Sequence, residues 1–248
     1  MKKYFSITAL AIITVFSLTF ISCGGDDDDD VVNKKPIMLY VGEETRVPET
    51  TNLESENNFV AFATSNNKIK GFHVGETFVK TDGNVRIPII VNWKYKTHDD
   101  PVIEWGCSQE YVKSRHKQGT LSSNSNSKNL VYEKAGHADI IAYSFENDKL
   151  EAVVTFVSTK WTLEYCNYLV ERFLVVPYNY ENETYYVLID ALEKENAKTL
   201  ISLGKYNSNY LSCIYTKYPV SSNAKARLPQ RDKSNNTKIK EIAEYLNK

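Results

Sequence analysis

Apolar residues come first in this chain as one long run and afterwards only as short, punctuated stretches. Behind Lys2 and Lys3, the segment Tyr4 to Ile21 is almost uncharged and apolar. From Pro36 the runs shorten to Ile37–Val41, Asn58–Ala63, Ile69–Val74 and Val85–Val91, separated by Gly42, Ser65-Asn66-Asn67 and Gly75. Short β-branched and aromatic runs broken by turn residues predict strands, and several at this spacing predict a small β-sandwich. Pro88 in the last of them points to an edge position or a bulge.

After residue 96 the period changes. Thr97-His98-Asp99-Asp100-Pro101 is expected to be a solvated linker, since it is polar and ends in proline. Ser108 with Glu110 predicts a helix start, and Gly119 is expected to stop that helix after Lys113, Arg115, His116 and Lys117. Residues 120–128 predict a polar loop. Leu130–Glu133, Asp139–Phe145 and Leu150–Val157 predict strands, the last two joined by a turn at Asn147-Asp148. In the third, Leu150, Ala152, Val154 and Phe156 are expected to form the packed face. Ser158 or Thr159 opens the strongest helical pattern, which runs to Phe173. Cys166, Leu169, Val170 and Phe173 follow i, i+3, i+4, i+7 there, beside Trp161 and Tyr165. Leu174–Tyr178, Thr184–Asp190, Lys198–Leu203 and Tyr210–Tyr218 predict four more strands.

The order is therefore helix with three strands, then helix with four. A helix and an antiparallel meander given twice predict one curved sheet with both helices on one face. Ser108-Gln109-Glu110-Tyr111-Val112 and Thr162-Leu163-Glu164-Tyr165-Cys166 echo each other faintly at half-domain spacing. Residues 221–236 carry no periodic pattern, and Lys238–Asn247 predicts a short terminal helix. The expected fold class is mostly β or α+β.

The N-terminal run carries an address. A basic start, an apolar stretch and small residues at Ser22 and Cys23 make the three-part pattern of an export signal. Gly24, Gly25 and Asp26 to Asp30 follow, with no basic stop-transfer cluster. Phe20-Ile21-Ser22-Cys23 resembles a bacterial lipobox, with Phe20 where leucine is usual, and the acidic run resembles the surface-export signal of Bacteroidota lipoproteins. The resemblance implies that Cys23 is lipid-modified and that the protein sits on the outer face of the outer membrane. Acyl chains contribute about 0.8 kcal/mol per buried methylene, so such an anchor holds without a protein span. The aspartates repel one another and keep the tether extended.

Two further resemblances concern folds. Val41-Gly42-Glu43-Glu44-Thr45, Thr64-Ser65-Asn66-Asn67, Ile69-Lys70-Gly71 and Val74-Gly75-Glu76-Thr77-Phe78-Val79 resemble, in order, the motifs of the bacterial immunoglobulin-like group 2 domain. That implies a spacer or adhesive module near the membrane. The two helix–meander units resemble the saddle-like domains of TATA-binding-protein or β-lactamase-inhibitor type, in architecture alone. The expected organisation is signal peptide 1–22, acidic tether 23–35, Ig-like domain 36–95, α+β binding domain 96–220 and tail 221–248.

Composition narrows the function. The 248 residues carry a net charge of −1 without any Lys/Arg cluster, which argues against nucleic acid. Outside the acidic tether the chain is close to neutral. Cys107, Cys166 and Cys213, an odd number among apolar neighbours, predict buried free thiols. No GxSxG elbow, HExxH, P-loop, CxxC pair or dinucleotide fingerprint is present. Cys107 and His116 lie near opposite ends of one predicted helix, about 13 Å apart at 1.5 Å rise per residue, too far for a dyad. Nothing selects Cys107 with His137. His98-Asp99-Asp100 is the best short cluster for a metal, but neighbours in extended chain do not converge on one ion. Glu104, Glu110, Glu164 and Asp190 offer carboxylates without a defined spacing.

Tyrosine stands out. There are 17, and those from Tyr143 to Tyr218 crowd the second domain. Core filling is one expectation. The other is an exposed aromatic face suited to sugar stacking or to anchoring a protein, for which Tyr178, Tyr180, Tyr206 and Tyr210 are the candidates because they flank predicted turns. The sequence thus points to a non-enzymatic surface lipoprotein without cofactor or metal, binding a glycan or an envelope protein. An exported hydrolase with an unlocated site, and an inhibitor-like interaction protein using the concave sheet, are the alternatives.

Overall fold

A computed structural model describes residues 35–47, 52–83, 85–180 and 183–218. The signal, Cys23, most of the tether and the tail lie outside the described residues. Within 35–47 and 52–92, seven strands form two sheets: β1 (Ile37–Tyr40), β2 (Glu44–Arg46), β3 (Leu53–Ser55), β4 (Ala61–Thr64), β5 (Lys68–Gly71), β6 (Gly75–Thr81) and β7 (Arg86–Asn92). The first sheet runs β1-β7-β6-β3 and the second β2-β5-β4. Alternating side chains from both meet in a core of Leu39, Val60, Ile69, Val79, Ile87, Ile89 and Val91. β1 and β7 are parallel, which the short sequence runs did not reveal. Pro88 pairs with Phe78 of β6 and stands one residue before the β1 pairing begins at Ile89.

The second domain holds α1 (Gln109–Arg115), β8 (Thr120–Leu121), β9 (Asn129–Ala135), β10 (Ala138–Glu146), β11 (Lys149–Ser158), α2 (Thr162–Val170), β12 (Leu174–Tyr180), β13 (Glu183–Ile189), β14 (Thr199–Lys205) and β15 (Tyr210–Lys217). All eight strands join one antiparallel sheet in the order β12-β13-β14-β15-β11-β10-β9-β8. The last strand of each helix–meander unit meets the other at the centre, where β11 pairs with β15. The class is mostly β with two helices, as expected. Asn147 and Asp148, both at positive φ, make the tight β10–β11 turn.

One face of this sheet packs under both helices. Tyr132, Ile141, Thr155, Cys213 and Leu203 follow one another across paired positions of five strands, and Val112 of α1 with Tyr165, Tyr168 and Leu169 of α2 close over them. Cys166 and Cys213 are buried in this core and Cys107 lies at its margin, none of the three in a disulfide, in line with the composition.

Three expectations need correction. α1 ends at Arg115, before Gly119, because His116 turns into extended backbone and reaches the sheet. Its Nε2–H donates to the Gln118 carbonyl, its Nδ1 accepts from Tyr143 Oη at 2.8 Å, and its ring lies 3.7 Å from that of Tyr132. α2 ends at Val170, short of Phe173, and its buried stripe is Tyr165, Cys166, Tyr168 and Leu169, with Val170 exposed. The helix stops where Glu171 and Arg172 turn to bind the preceding linker.

That linker is the third correction. Thr97, His98, Pro101 and Val102 are buried, His98 to 1% exposure. The Glu171 carboxylate accepts from the amides of Lys94 (3.0 Å) and Tyr95 (2.9 Å), while its carbonyl accepts from Val74 N–H in the first domain (2.7 Å). Arg172 donates to Asp100 at 2.5 Å and lies over the Tyr168 ring, whose hydroxyl donates to the same carboxylate. A polar segment with proline resembles a solvated linker only until its partners, 68–77 residues away, are known.

Candidate functional site

The opposite face of the eight-stranded sheet is only partly covered. Toward β12 it is filled by Val176, Val187, Ile189 and Leu200 under Ala191 and Ala197 of the β13–β14 connection. On β14 the face is still buried, at Ser202 and Gly204, and from β15 to β9 it continues in mostly half-exposed residues that the register places. Phe156 of β11 lies between Ile140 of β10 and Ser212 of β15. Val154 lies between Ala142 and Ile214, and Ala152 between Ser144 and Thr216. Ser202 and Gly204 extend these rows across β14, and Val131 extends them across β9.

No charged side chain occupies any of these positions, in a chain that is 25% charged. Charge enters at the margins, at Glu133, the β9 partner of Ile140, and at the paired Glu146 and Lys149 beside the β10–β11 turn. An uncharged face with Val131, Ile140, Val154, Phe156 and Ile214 half-buried on it is the kind of surface that takes a partner.

Two irregularities interrupt the β10–β11 register, one at Asp139 of β10 and one in β11, and the second aims the β11 side chains. Phe145 pairs with Leu150 but Ser144 pairs with Ala152, so β11 carries an extra residue at Glu151 and its alternation reverses. Leu150 therefore points to the helices, as do Val153, Thr155 and Val157, while Ala152, Val154 and Phe156 point away. This corrects the expectation that Leu150, Ala152, Val154 and Phe156 share the packed face. A one-residue slip turns a strand over.

The tyrosines divide between core and surface. Tyr143, Tyr165, Tyr168 and Tyr215 are fully buried. Burial pushes each hydroxyl well above its ordinary pKa, and Tyr143 also receives the Val102 amide. Tyr206 is 59% exposed and meets Phe156 edge-on at 5.0 Å. Tyr210, opposite Ser158, shares the face with them and is half-buried. The side chains of Tyr178 and Tyr180 lie outside the described residues; their backbones pair with Tyr185 and Glu183. Successive antiparallel pairing puts the β12–β13 and β14–β15 connections at the same end of the sheet. β13 and β14 pair only at Leu188–Ile201 and Ile189–Leu200, away from that end, so the structure brings Tyr206 and Tyr210 together with Phe156 but does not join Tyr178 and Tyr180 to them. The aliphatic part of the face, Val131, Ile140, Val154 and Ile214, was missed. The alternation of β10 and β15 was the available signal, and the bulge hid it in β11.

The groups considered for catalysis or metal binding are engaged elsewhere. Both nitrogens of His116 are bonded, and the Cys107 thiol is pushed up by burial and by Glu104, which disfavours the thiolate. The His137 ring stacks flat on Trp161 at 3.8 Å. His98 donates to the Asp99 carbonyl, Asp99 pairs with Lys96 and Asp100 with Arg172, so the three side chains diverge. Among the described residues no group of three His, Cys, Asp or Glu is placed to hold a metal ion. Glu110 pairs with Lys113, Asp190 accepts from the Lys198 and Thr199 amides, and Glu164 is exposed.

The chain matches no family model and no curated protein. Its functional reading therefore rests on this open face and on the sequence resemblances. Among the described residues no helix is long and apolar enough to cross a membrane.

Proposed function

We propose that this chain is a non-enzymatic binding protein, anchored by lipid at Cys23 to the outer face of the outer membrane. In this reading the first domain is a stalk and the second holds a protein partner against the open face of its sheet. The observation that carries the proposal is the run of uncharged positions across four neighbouring strands, with Val154, Phe156, Ile140 and Ile214 at its centre. Such a face suits a partner that presents uncharged apolar surface, because a charged one loses hydration there without gaining a counter-charge. The lipobox resemblance and the acidic tether support the location.

A photo-cross-linking residue in place of Ile214 tests this on intact cells, with the same residue in place of exposed Leu163 on α2 as control. A discrete adduct from position 214 alone supports the proposal; no adduct, or the same adducts from both positions, overturns it. The exposed Tyr206, with Phe156 and Tyr210, favours a second reading in which a neutral glycan stacks at this end of the sheet. A panel of glycans offered to soluble protein beginning at Gly24 decides it. Binding weakened by Tyr206→Ala and Tyr210→Ala supports the glycan, and an empty panel removes it.

A further inference from the structure

We infer that the first domain is a load-bearing element, built to resist tension between its N-terminal side and the binding domain. Its first and last strands lie side by side and parallel, Ile37 beside Ile89 and Tyr40 beside Asn92. The chain enters β1 at Ile37 and leaves β7 at Asn92. Tension on the two ends therefore draws these strands in opposite directions along their own axes. Hydrogen bonds between them lie across the pull and share it, so they must yield together. A strand peeled from its end yields one bond at a time.

The second domain grips the first at the same end. Val74, whose amide donates to the Glu171 carbonyl, precedes Gly75, and Gly75 pairs with Val91 next to Asn92. Lys94 and Tyr95, held by the Glu171 carboxylate, follow directly in sequence. Load from the second domain thus enters at the exit of β7, by the covalent chain and by the grip alike.

The sliding plane is reinforced on both sides. Leu39, Ile89 and Val91 are buried beneath it. Past its end, Val41 N–H donates to the Asn92 carbonyl at 3.1 Å and Gly42 N–H to the Gly71 carbonyl of the other sheet at 2.8 Å. Gly71 permits that closure, since a Cβ there would sit 2.9 Å from the Tyr40 carbonyl oxygen. The last turn of β1 is thereby fastened to both sheets. The source of the load rests on the anchoring proposed above; the resistance itself does not.

Single-molecule pulling of the chain from Gly24 to Lys248 tests this, with handles at Lys35 and Tyr218 or at Lys35 and Gly83. The first pair shears β1 against β7. The second draws on the end of β1 and the start of β7 from the same side and peels them. Opening of the first domain is recognised by a length gain of about 190 Å in the shear geometry, at ~3.4 Å per residue from Ile37 to Asn92, and of about 160 Å in the peeling geometry, where only Ile37 to Gly83 lies between the handles. The shear geometry is expected to need at least about twice the force of peeling, since forced opening reports the barrier of the path taken. Val41→Pro, which removes the donor to Asn92, is expected to lower the shear force and leave the peeling force unchanged.

Equal forces in the two geometries overturn the inference. So does a Val41→Pro chain that is folded by circular dichroism and as strong as the parent. If that variant does not fold, the comparison of geometries on the parent chain decides alone. Neither geometry uses a lipid or a ligand, so failure here leaves the binding face standing, and failure of the cross-linking leaves the clamp standing.

Discussion

Replacing Glu171 by alanine is the sharpest test of how the two domains are joined. The residue is 4% exposed, and its carboxylate accepts from two consecutive amides, Lys94 and Tyr95, at 2.9–3.1 Å. Hydrogen bonds to a charged acceptor contribute about 1.5–3 kcal/mol each, and a buried donor left alone costs about 1–3 kcal/mol. The full penalty does not apply here, because the side chains of Lys94 and Tyr95 are exposed and water can reach part of that backbone. A net loss of about 2–3 kcal/mol is expected for the pair. In a domain assembly of this size that lowers Tm by about 4–12 °C.

Urea unfolding of soluble protein from Gly24 measures the loss, and native-state hydrogen exchange locates it at the Lys94 and Tyr95 amides. Glu110→Ala is the control, since Glu110 pairs with Lys113 in the open and an exposed ion pair is worth about 0–1 kcal/mol. A Glu171→Ala loss no greater than that of Glu110→Ala refutes this role for the carboxylate. So do two amides that exchange equally fast in parent and variant.

The same packing sets three other outcomes. Burial lowers the pKa of His98, with Arg172 acting in the same direction while the Asp99 carbonyl and the Asp100 and Asp99 charges oppose it. Below about pH 6.5 the unfolded chain takes up the proton first, so stability falls as pH falls from there toward the depressed folded value. Parent protein should lose urea midpoint between pH 7.5 and 5, and His98→Gln should lose less; His73 and His116, lowered chiefly by burial, supply the remaining slope. Cys166, pushed up to about 11 by burial, and Cys213 should react with a thiol reagent only after unfolding, with Cys107 slow in the native state; three prompt thiols in the native protein would contradict the packing. Gly136 sits at φ +65° with the Thr97 carbonyl 2.5 Å from where a Cβ would stand, so Gly136→Ala should cost at least about 1–2 kcal/mol in urea titration, and a neutral result would contradict the placement of residues 97–98.

Local pattern carried the elements further than their partners. Ser108 caps α1 as its spacing with Glu110 predicts, accepting from the Tyr111 amide, and every strand expected after residue 129 is present. Long-range register was not legible. Whether β1 pairs with β7, or β15 with β11, depends on which apolar faces close together, and no residue in those strands announces its partner. The helix ends were misplaced for the same reason: His116 and Glu171 leave their helices for partners in other elements. Aromatic content predicted packing and surface equally well. Only the alternation along each strand separates Tyr215, fully buried, from Tyr210, on the open face.

The bulge at Glu151 shows how much one residue decides. Without it, β11 would alternate from Leu150 in step, and Ala152, Val154 and Phe156 would face the helices as the bare sequence suggests. Thr155 would then point outward, away from the Tyr165 hydroxyl that it meets in the core. Phe156 would leave Tyr206 unaccompanied at the rim. The bulge thus performs two tasks with one insertion: it gives the buried Tyr165 hydroxyl a partner and turns an aromatic and two aliphatic positions out to the surface. Removing Glu151 from the chain sets these tasks against each other. A strand that keeps its core register on the C-terminal side must shift the Asn147-Asp148 turn, and one that keeps the turn must bury Phe156 and expose Val157. In the first case the uncharged face survives at the expense of the turn and of Leu150 in the core, and in the second the turn survives at the expense of the face, so the insertion that looks like a local irregularity is what lets the tight turn and the open face coexist.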